Sequence, residues 1–224
     1  QNHGVVEDTA VMVQLPNIVE LLVVYYALSK LGAIVSPVPV QYGRHELQGL
    51  ADALDARFMI TLRQFKDSEL AATARDALPQ VAVLSFGADL GIDTSDNSQR
   101  CQRAQDDANR ILTICWTSGT TGTPKGVPRS HNMWLATGRC SADAGDYRPD
   151  DVLLNPFPMV NMAALGGFVF PSALLGCGIV LHHPLDPPLY LRQIQEERVN
   201  FTIAPPALLN QLAKSPELWQ QFDF

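Results

Sequence analysis

Apolar strand patterns alternate with amphipathic helical patterns in the first part of the chain, and this alternation restricts the fold more than any other feature. One helical pattern places Leu47, Leu50, Ala51 and Leu54 at positions i, i+3, i+4 and i+7, which form one face of a helix. The strand patterns between such helices cover residues 9–15, 33–38, 58–62 and 81–86. Strands joined through helices pair in parallel, with right-handed crossovers. The sequence therefore predicts an α/β fold with a largely parallel sheet.

A polar segment divides the chain into two predicted parts. Between residues 87 and 109 the apolar content falls and Asp, Gln and Ser predominate, which is typical of a linker or a solvent-facing loop. We therefore predict two stacked αβ subdomains, 1–108 and 109–224, with the linker at 87–109. In the second subdomain, Asp186 followed by two prolines is a typical helix start, and Leu189, Ile194 and their neighbours are expected on the buried side of that helix.

Composition and charge exclude some classes of function. The chain has 224 residues, 46% of them hydrophobic and 17% charged, and its net charge is −7. The sequence has no Lys/Arg-rich run, so non-specific nucleic-acid binding lacks its electrostatic basis. The four cysteines show no C-x-x-C spacing, which favours reduced thiols in a cytoplasmic protein over disulfides or a metal site.

Residues 162–181 carry no charge and are long enough to cross a membrane. Gly166-Gly167, Pro171 and Gly176 interrupt this stretch, however, and residues 178–181 have a strand pattern. A buried helix, a glycine turn and a buried strand explain the segment better than a transmembrane helix does. We therefore predict no membrane span.

A glycine-rich segment at residues 116–127, Trp-Thr-Ser-Gly-Thr-Thr-Gly-Thr-Pro-Lys-Gly-Val, follows the apolar run 111–115. It contains five hydroxyl side chains, three glycines and Lys125. Glycine lets the backbone approach a ligand, so successive N–H groups can converge on phosphate oxygens, while hydroxyls and lysine add donors and charge. The spacing differs from the G-x-x-x-x-G-K-[ST] pattern of P-loop NTPases. These residues predict an anion-binding loop, and the alternative is a surface turn with a solvated lysine.

Residues 118–126, Ser-Gly-Thr-Thr-Gly-Thr-Pro-Lys-Gly, resemble the phosphate loop of the adenylate-forming superfamily, which includes acyl-CoA synthetases, aryl-acid ligases and adenylation domains. The likeness extends to residues 15–17, 27–33 and 157–166. It implies that both subdomains are part of the large N-terminal domain of such an enzyme. The sequence lacks the family's later motifs for the adenylate, the ribose and the small C-terminal domain. We therefore expect a chain truncated at both ends and inactive by itself.

The resemblance implies two half-reactions. A carboxylic acid would react with MgATP to give an acyl-adenylate, and a thiol such as coenzyme A would then take the acyl group, so the implied cofactors are ATP, Mg²⁺ and coenzyme A. Lys125 would have a catalytic role in neutralising the departing pyrophosphate. The residues implied to hold the phosphates are Thr117, Ser118, Gly119, Thr120, Thr121, Gly122 and Lys125. The expected partners are a small-molecule acid and a thiol acceptor, without nucleic acid, and the oligomeric state is open.

Asn161 is the candidate substrate-binding residue, because residues 157–166 are similar to the family's acyl-pocket motif. Many members have histidine at this position, and amino-acid-activating domains have a nearby aspartate that holds the substrate amine; this sequence has neither. The missing acid argues against an α-amino-acid substrate. The asparagine is similar to the one in the aryl-acid branch, where such a residue meets the substrate carboxylate. Asparagine is also a good helix N-cap, so capping is an equal alternative.

Two further classes of function stay open beside the enzyme. ATP binding without turnover would favour a nucleotide- or phosphate-binding module, and an empty loop open to proteases would favour a purely structural fragment. His131 and the pair His182-His183 have no partners at the spacing that zinc sites or catalytic triads need. We expect these histidines to be loop or cap residues.

Overall fold

The computed structural model describes residues 3–92, 107–117, 124–220 and 222. The chain forms two compact units, Gln1–His131 and Asn132–Phe224. The sequence placed the boundary between residues 108 and 109. In the structure, the stretch that follows, up to His131, lies with the first unit, because its two strands extend the first sheet. Most of the predicted linker, residues 93–106, falls outside the described residues.

The first unit contains a six-stranded, mostly parallel sheet. Its strands are β1 (Ala10–Gln14), β2 (Ile34–Pro37), β3 (Phe58–Leu62), β4 (Ala82–Phe86), β5 (Ile111–Thr117) and β6 (Lys125–Ser130). Their order across the sheet is β4-β3-β1-β2-β5-β6. The first five strands pair in parallel, and β6 pairs antiparallel with β5. The predicted α/β class with a largely parallel sheet is confirmed.

Helices connect the parallel strands of the first unit. They are α1 (Val19–Leu31), α2 (Arg44–Leu54) and α3 (Leu70–Ala77). The predicted apolar face of α2, represented by Leu47 and Leu50, is buried in one cluster with Met12 of β1 and Met59 of β3. Burial of this face against the sheet supplies the hydrophobic stabilisation that an isolated helix of this length lacks.

The second unit contains a three-stranded parallel sheet. Its strands are β7 (Val152–Asn155), β8 (Gly178–Leu181) and β9 (Phe201–Thr202), in the order β8-β7-β9. Its helices are α4 (His131–Gly145), α5 (Met162–Ala164), α6 (Phe170–Leu175), α7 (Pro187–Glu196) and α8 (Pro206–Lys214). A π-helical turn, Leu165–Val169, joins α5 to α6. Strand β7 is covered on both faces, since Leu153 and Leu154 belong to two different apolar clusters.

The uncharged stretch 162–181 forms helical segments and then a strand, as predicted, but the strand is exposed or half-buried rather than buried. Its helical part ends at Gly176, which has a left-handed φ of 80°, and β8 follows two residues later. Within the described parts of the chain, no helix is long and apolar enough to cross a membrane.

Helix α4 packs closely against the π turn and α6. A Cβ atom added to Gly166 would lie 2.6 Å from Thr137 Cγ2, and one added to Gly138 would lie 3.0 Å from Phe170 Cβ. Non-bonded carbons normally lie about 3.5–4.0 Å apart. The two helical segments can therefore come this close because both positions are glycine. The Trp134 ring stacks on Phe170 beside this contact, with centroids 5.3 Å apart.

Helix α7 begins as predicted, and Ile194 of its predicted buried side packs against an apolar cluster. Asp186 is its N-cap, and the carboxylate accepts a hydrogen bond from the Leu189 N–H at 3.0 Å. The prediction that Leu189 lies on the buried side is wrong, since this side chain is 41% exposed. Tyr190 and Leu191 are buried in its place.

Candidate functional site

The described ends of the glycine-rich segment lie on two neighbouring strands, and we call the end of this strand pair, at Thr117 and Lys125, the hairpin mouth. Strands β5 and β6 pair antiparallel, with Thr117 opposite Lys125 and Trp116 opposite Gly126. The sequence predicted a loop for the whole of 116–127, and this is wrong at both ends: Trp116 and Thr117 complete β5, and Lys125 begins β6. Strand β6 was missed because Gly126 and Pro128 are poor strand residues. An outer strand tolerates proline, because one of its edges donates to no neighbour.

Thr117 and Lys125 are the predicted phosphate-binding residues that the structure describes. They are brought together as an opposed pair, and the Thr117 hydroxyl donates to the Lys125 carbonyl oxygen at 3.4 Å. Both side chains are exposed. Among the described residues, no carboxylate forms an ion pair with Lys125. A hydroxyl and a lysine with no described carboxylate partner at the hairpin mouth fit an anionic group such as a phosphate.

The other predicted phosphate-binding residues lie outside the described residues, so their roles remain predictions. They are Ser118, Gly119, Thr120, Thr121 and Gly122.

Close packing holds the base of the hairpin. A Cβ atom on Gly126 would lie 2.8 Å from Ile114 Cγ2 and 3.4 Å from two carbons of the Trp116 ring. The indole thus lies beside a position where a side chain would displace Ile114. The Trp116 Nε1–H also donates to Ser36 Oγ at 2.8 Å. Sequence reasoning found no role for Trp116 or Ser36.

Cys115 precedes the hairpin mouth but is unsuited to nucleophilic chemistry. Its side chain is buried, and this burial raises the pKa of the thiol. The Sγ atom donates to Thr113 Oγ1 at 3.6 Å. Because the thiolate is the reactive form, a thiol held neutral in this way makes a poor nucleophile.

Asn161 lies in the second unit, where it caps helix α5. Its Oδ1 atom accepts a hydrogen bond from the Ala164 N–H at 3.1 Å. The capping alternative is therefore observed. The side chain is also exposed, and its amide nitrogen remains available to donate to a ligand. Contact with the substrate stays a prediction.

A buried polar group joins β7, β8 and α7 at the carboxyl ends of the two strands. His182, which is 1% exposed, donates its backbone N–H to the Asn155 carbonyl at 3.0 Å. Its Nε2 accepts from the Asp186 N–H at 3.1 Å, and its Nδ1 lies 2.7 Å from Gln193 Oε1. Since Nε2 accepts, the proton is on Nδ1. His182 is therefore a structural link between strand and helix, and the pairing of its two nitrogens leaves none for catalysis.

Metal binding by the protein's own side chains has no support in the described ranges. Within 3–92, 107–117, 124–220 and 222, no three His, Cys, Asp or Glu residues cluster as metal ligands would. The three cysteines in these ranges, Cys115, Cys140 and Cys177, are free.

Comparison with known proteins identifies relatives for nearly the whole chain. A family model described as AMP-binding enzyme matches residues 1–223. Indoleacetate–CoA ligase of Aromatoleum aromaticum is 30% identical over 213 residues, which cover 91% of this chain and 41% of that protein. Long-chain-fatty-acid–CoA ligase FadD13 of Mycobacterium tuberculosis is 30% identical over 219 residues, which cover 96% of this chain and 42% of that protein.

A solved structure shows the same fold. The inhibitor-bound N-terminal domain of FACL13 from Mycobacterium tuberculosis superposes with a TM-score of 0.80 and 27% identity, covering 99% of this chain and 56% of that one. The chain spans about two fifths of the length of the curated relatives it matches.

Proposed function

Because the chain belongs to the AMP-binding enzyme family, we propose that the protein containing it activates a carboxylic acid with MgATP and transfers the acyl group to a thiol such as coenzyme A. In the first step a carboxylate oxygen attacks the α-phosphorus, the bond to the bridging oxygen breaks, and pyrophosphate leaves. In the second step the thiol loses its proton to solvent, its sulfur attacks the acyl carbon, and AMP leaves with the electrons of the broken acyl–oxygen bond. The exposed Thr117–Lys125 pair at the hairpin mouth carries this proposal.

In this proposal the hairpin mouth supplies positioning and charge. Lys125 neutralises the negative charge that grows on the departing pyrophosphate, and Thr117 with the segment 118–122 donates to the β- and γ-phosphate oxygens. Phosphoryl-type transfers depend mainly on such positioning and electrostatic stabilisation. The exposure of Lys125 supports this role, because no carboxylate among the described residues competes for the lysine.

The substrate that we propose is a fatty or aromatic acid. Two relatives are named for indoleacetate and for long-chain fatty acids, and residues 157–166 contain no acidic side chain to hold an α-amine. Asn161 is the proposed contact for the acid, through the amide nitrogen that its capping bond does not use. A cytoplasmic location is part of the proposal, and the free thiols Cys115, Cys140 and Cys177 support it.

The test is ATP–pyrophosphate exchange by the full-length protein with fatty, aromatic and amino acids. Replacement of Lys125 by Ala is expected to lower the exchange rate about 100-fold, the loss typical of one transition-state donor. Replacement of Lys30, an exposed lysine at the end of α1, by Ala is the matched control and should leave exchange unchanged. The isolated 224-residue chain is expected to release no pyrophosphate. Full exchange by the Lys125→Ala protein would remove the lysine from the mechanism.

A further inference from the structure

Trp116 lies next to the hairpin mouth, where its position affects the positions of Thr117 and Lys125. It directly precedes Thr117, and its cross-strand partner Gly126 directly follows Lys125. The Trp116–Gly126 pair is therefore the step of the ladder immediately below the Thr117–Lys125 pair. Any shift of this step moves both groups that face the phosphates.

The indole ties this step to the interior of the sheet. Main-chain pairing between β2 and β5 is found at Val35 and Thr113, several residues before the hairpin mouth. Further along β5, the Trp116 Nε1–H donates to Ser36 Oγ at 2.8 Å. Ser36 is fully buried on β2. The side-chain bond thus continues the attachment of β5 to β2 toward the mouth.

Steric contacts restrict the same indole from a second side. The ring packs against the apolar cluster formed by α2, α3 and the sheet. It also lies beside Gly126, where an added Cβ would meet two ring carbons at 3.4 Å and would be too close to Ile114 Cγ2, at 2.8 Å. An aromatic ring over a cross-strand glycine is a known way of stabilising a ladder at that glycine. The hydrogen bond and the packing together restrain the ring.

We propose that Trp116 is a positioning residue, which through its bond to Ser36 and its packing over Gly126 fixes the direction in which the hairpin presents Thr117 and Lys125 to the phosphates of ATP. This inference rests on the function proposed above. A displacement of about 1 Å in a positioning group can cost orders of magnitude in rate, so a rigid base matters more here than in an ordinary hairpin.

Two variants of the full-length protein test the hydrogen bond. Trp116→Phe keeps a ring over Gly126 but removes the donor, and Ser36→Ala removes the acceptor without touching the hairpin. Each is expected to raise the Kd for ATP about five- to tenfold, the equivalent of one hydrogen bond. The KM for the acid is expected to stay within about twofold, because no substrate contact is altered. The double variant should bind ATP no worse than Trp116→Phe alone, since the same bond is already absent.

Hydrogen exchange without ATP gives a readout that is independent of activity. Amides of residues 114–117 and 125–127 are expected to exchange faster in both variants than in the unaltered protein, while the amides of β3 remain unchanged. Trp219→Phe, which alters an exposed indole in the other unit, is the matched control. It should change neither ATP binding nor exchange in the hairpin.

The outcomes separate this inference from the proposed function. An unchanged Kd for ATP with unchanged hairpin exchange in both variants would overturn the positioning role. A fall in thermal stability with no change in ATP binding would also overturn it, because that is what a purely structural bond predicts. If the unaltered protein binds no ATP, the proposed function is wrong. If the hairpin amides also exchange at the same rate in the variants as in the unaltered protein, Trp116 does not hold the hairpin in place either.

Discussion

The contact between helix α4 and the π turn allows a sharp test of packing. Gly166 and Gly167 are adjacent in the turn, but their surroundings differ. A Cβ on Gly166 would lie 2.6 Å from Thr137 Cγ2, whereas a Cβ on Gly167 would meet no atom within 4 Å. The two Gly→Ala variants therefore add the same methyl group to the same turn, and only one of them creates a clash.

The expected magnitudes follow from this geometry. The methyl of Gly166→Ala would be about 1 Å inside normal contact distance, and overpacking of this kind costs about 1–3 kcal/mol. Alanine gains up to about 1 kcal/mol over glycine in a helical backbone. Gly167→Ala should thus raise the free energy of unfolding by up to about 1 kcal/mol. Gly166→Ala should be less stable than Gly167→Ala by about 1–3 kcal/mol.

Thr137→Ser supplies the rescue. It deletes Cγ2 and keeps the hydroxyl, which donates to the Met133 carbonyl at 2.8 Å. In the double variant Gly166→Ala/Thr137→Ser, the coupling free energy is expected to be about 1–2 kcal/mol in the stabilising direction. Urea unfolding followed by circular dichroism measures five proteins: the unaltered protein, the two Gly→Ala variants, Thr137→Ser and the double variant. Equal m-values establish that they are comparable. Equal stability of the two Gly→Ala variants, or absence of rescue, would refute the reasoning.

Three more predictions concern single side chains. Asp186→Ala should lower the free energy of unfolding by about 1 kcal/mol through loss of the N-cap, while Asp186→Asn should be nearly neutral in the same urea assay. Burial lowers the pKa of His131 below 6.5. As the pH is lowered, the unfolded chain therefore binds this proton at a higher pH than the folded chain does. Stability should therefore fall as the pH drops below 6.5, and His131→Gln should reduce that fall; equal pH profiles would contradict the assignment. Iodoacetamide should label exposed Cys140 in the native protein, but buried Cys115 and Cys177 only after unfolding, as peptide mass mapping would show.

Regular elements could be predicted wherever burial itself produced the sequence pattern. Strand β3 begins and ends at the predicted residues 58 and 62, because a strand covered on both faces must be a short apolar run. The buried face of α2 was equally clear from its spacing. The prediction for Leu189 was wrong because α7 begins with two prolines and is short. The periodicity of so short a helix leaves the buried side uncertain by one or two positions.

The candidate site was only partly visible in the sequence. The nine residues 118–126 form a contiguous motif, so their resemblance to a phosphate loop could be recognised without a structure. Strand β6 could not be recognised, since it exists by pairing with β5 rather than by its own propensity. The bond from Trp116 to Ser36 joins residues 80 positions apart, and no local pattern records such a contact.

The composition of β6 also bears on how the first sheet meets other protein chains. This strand lies at the end of the strand order, and a bare sheet edge is a template on which a second chain can add and start aggregation. Pro128 has no N–H to offer an incoming strand, and Lys125 adds charge near one end of the edge. Pro128, one of the residues that made β6 difficult to predict, therefore also discourages sheet-to-sheet association, and Lys125 adds to this effect.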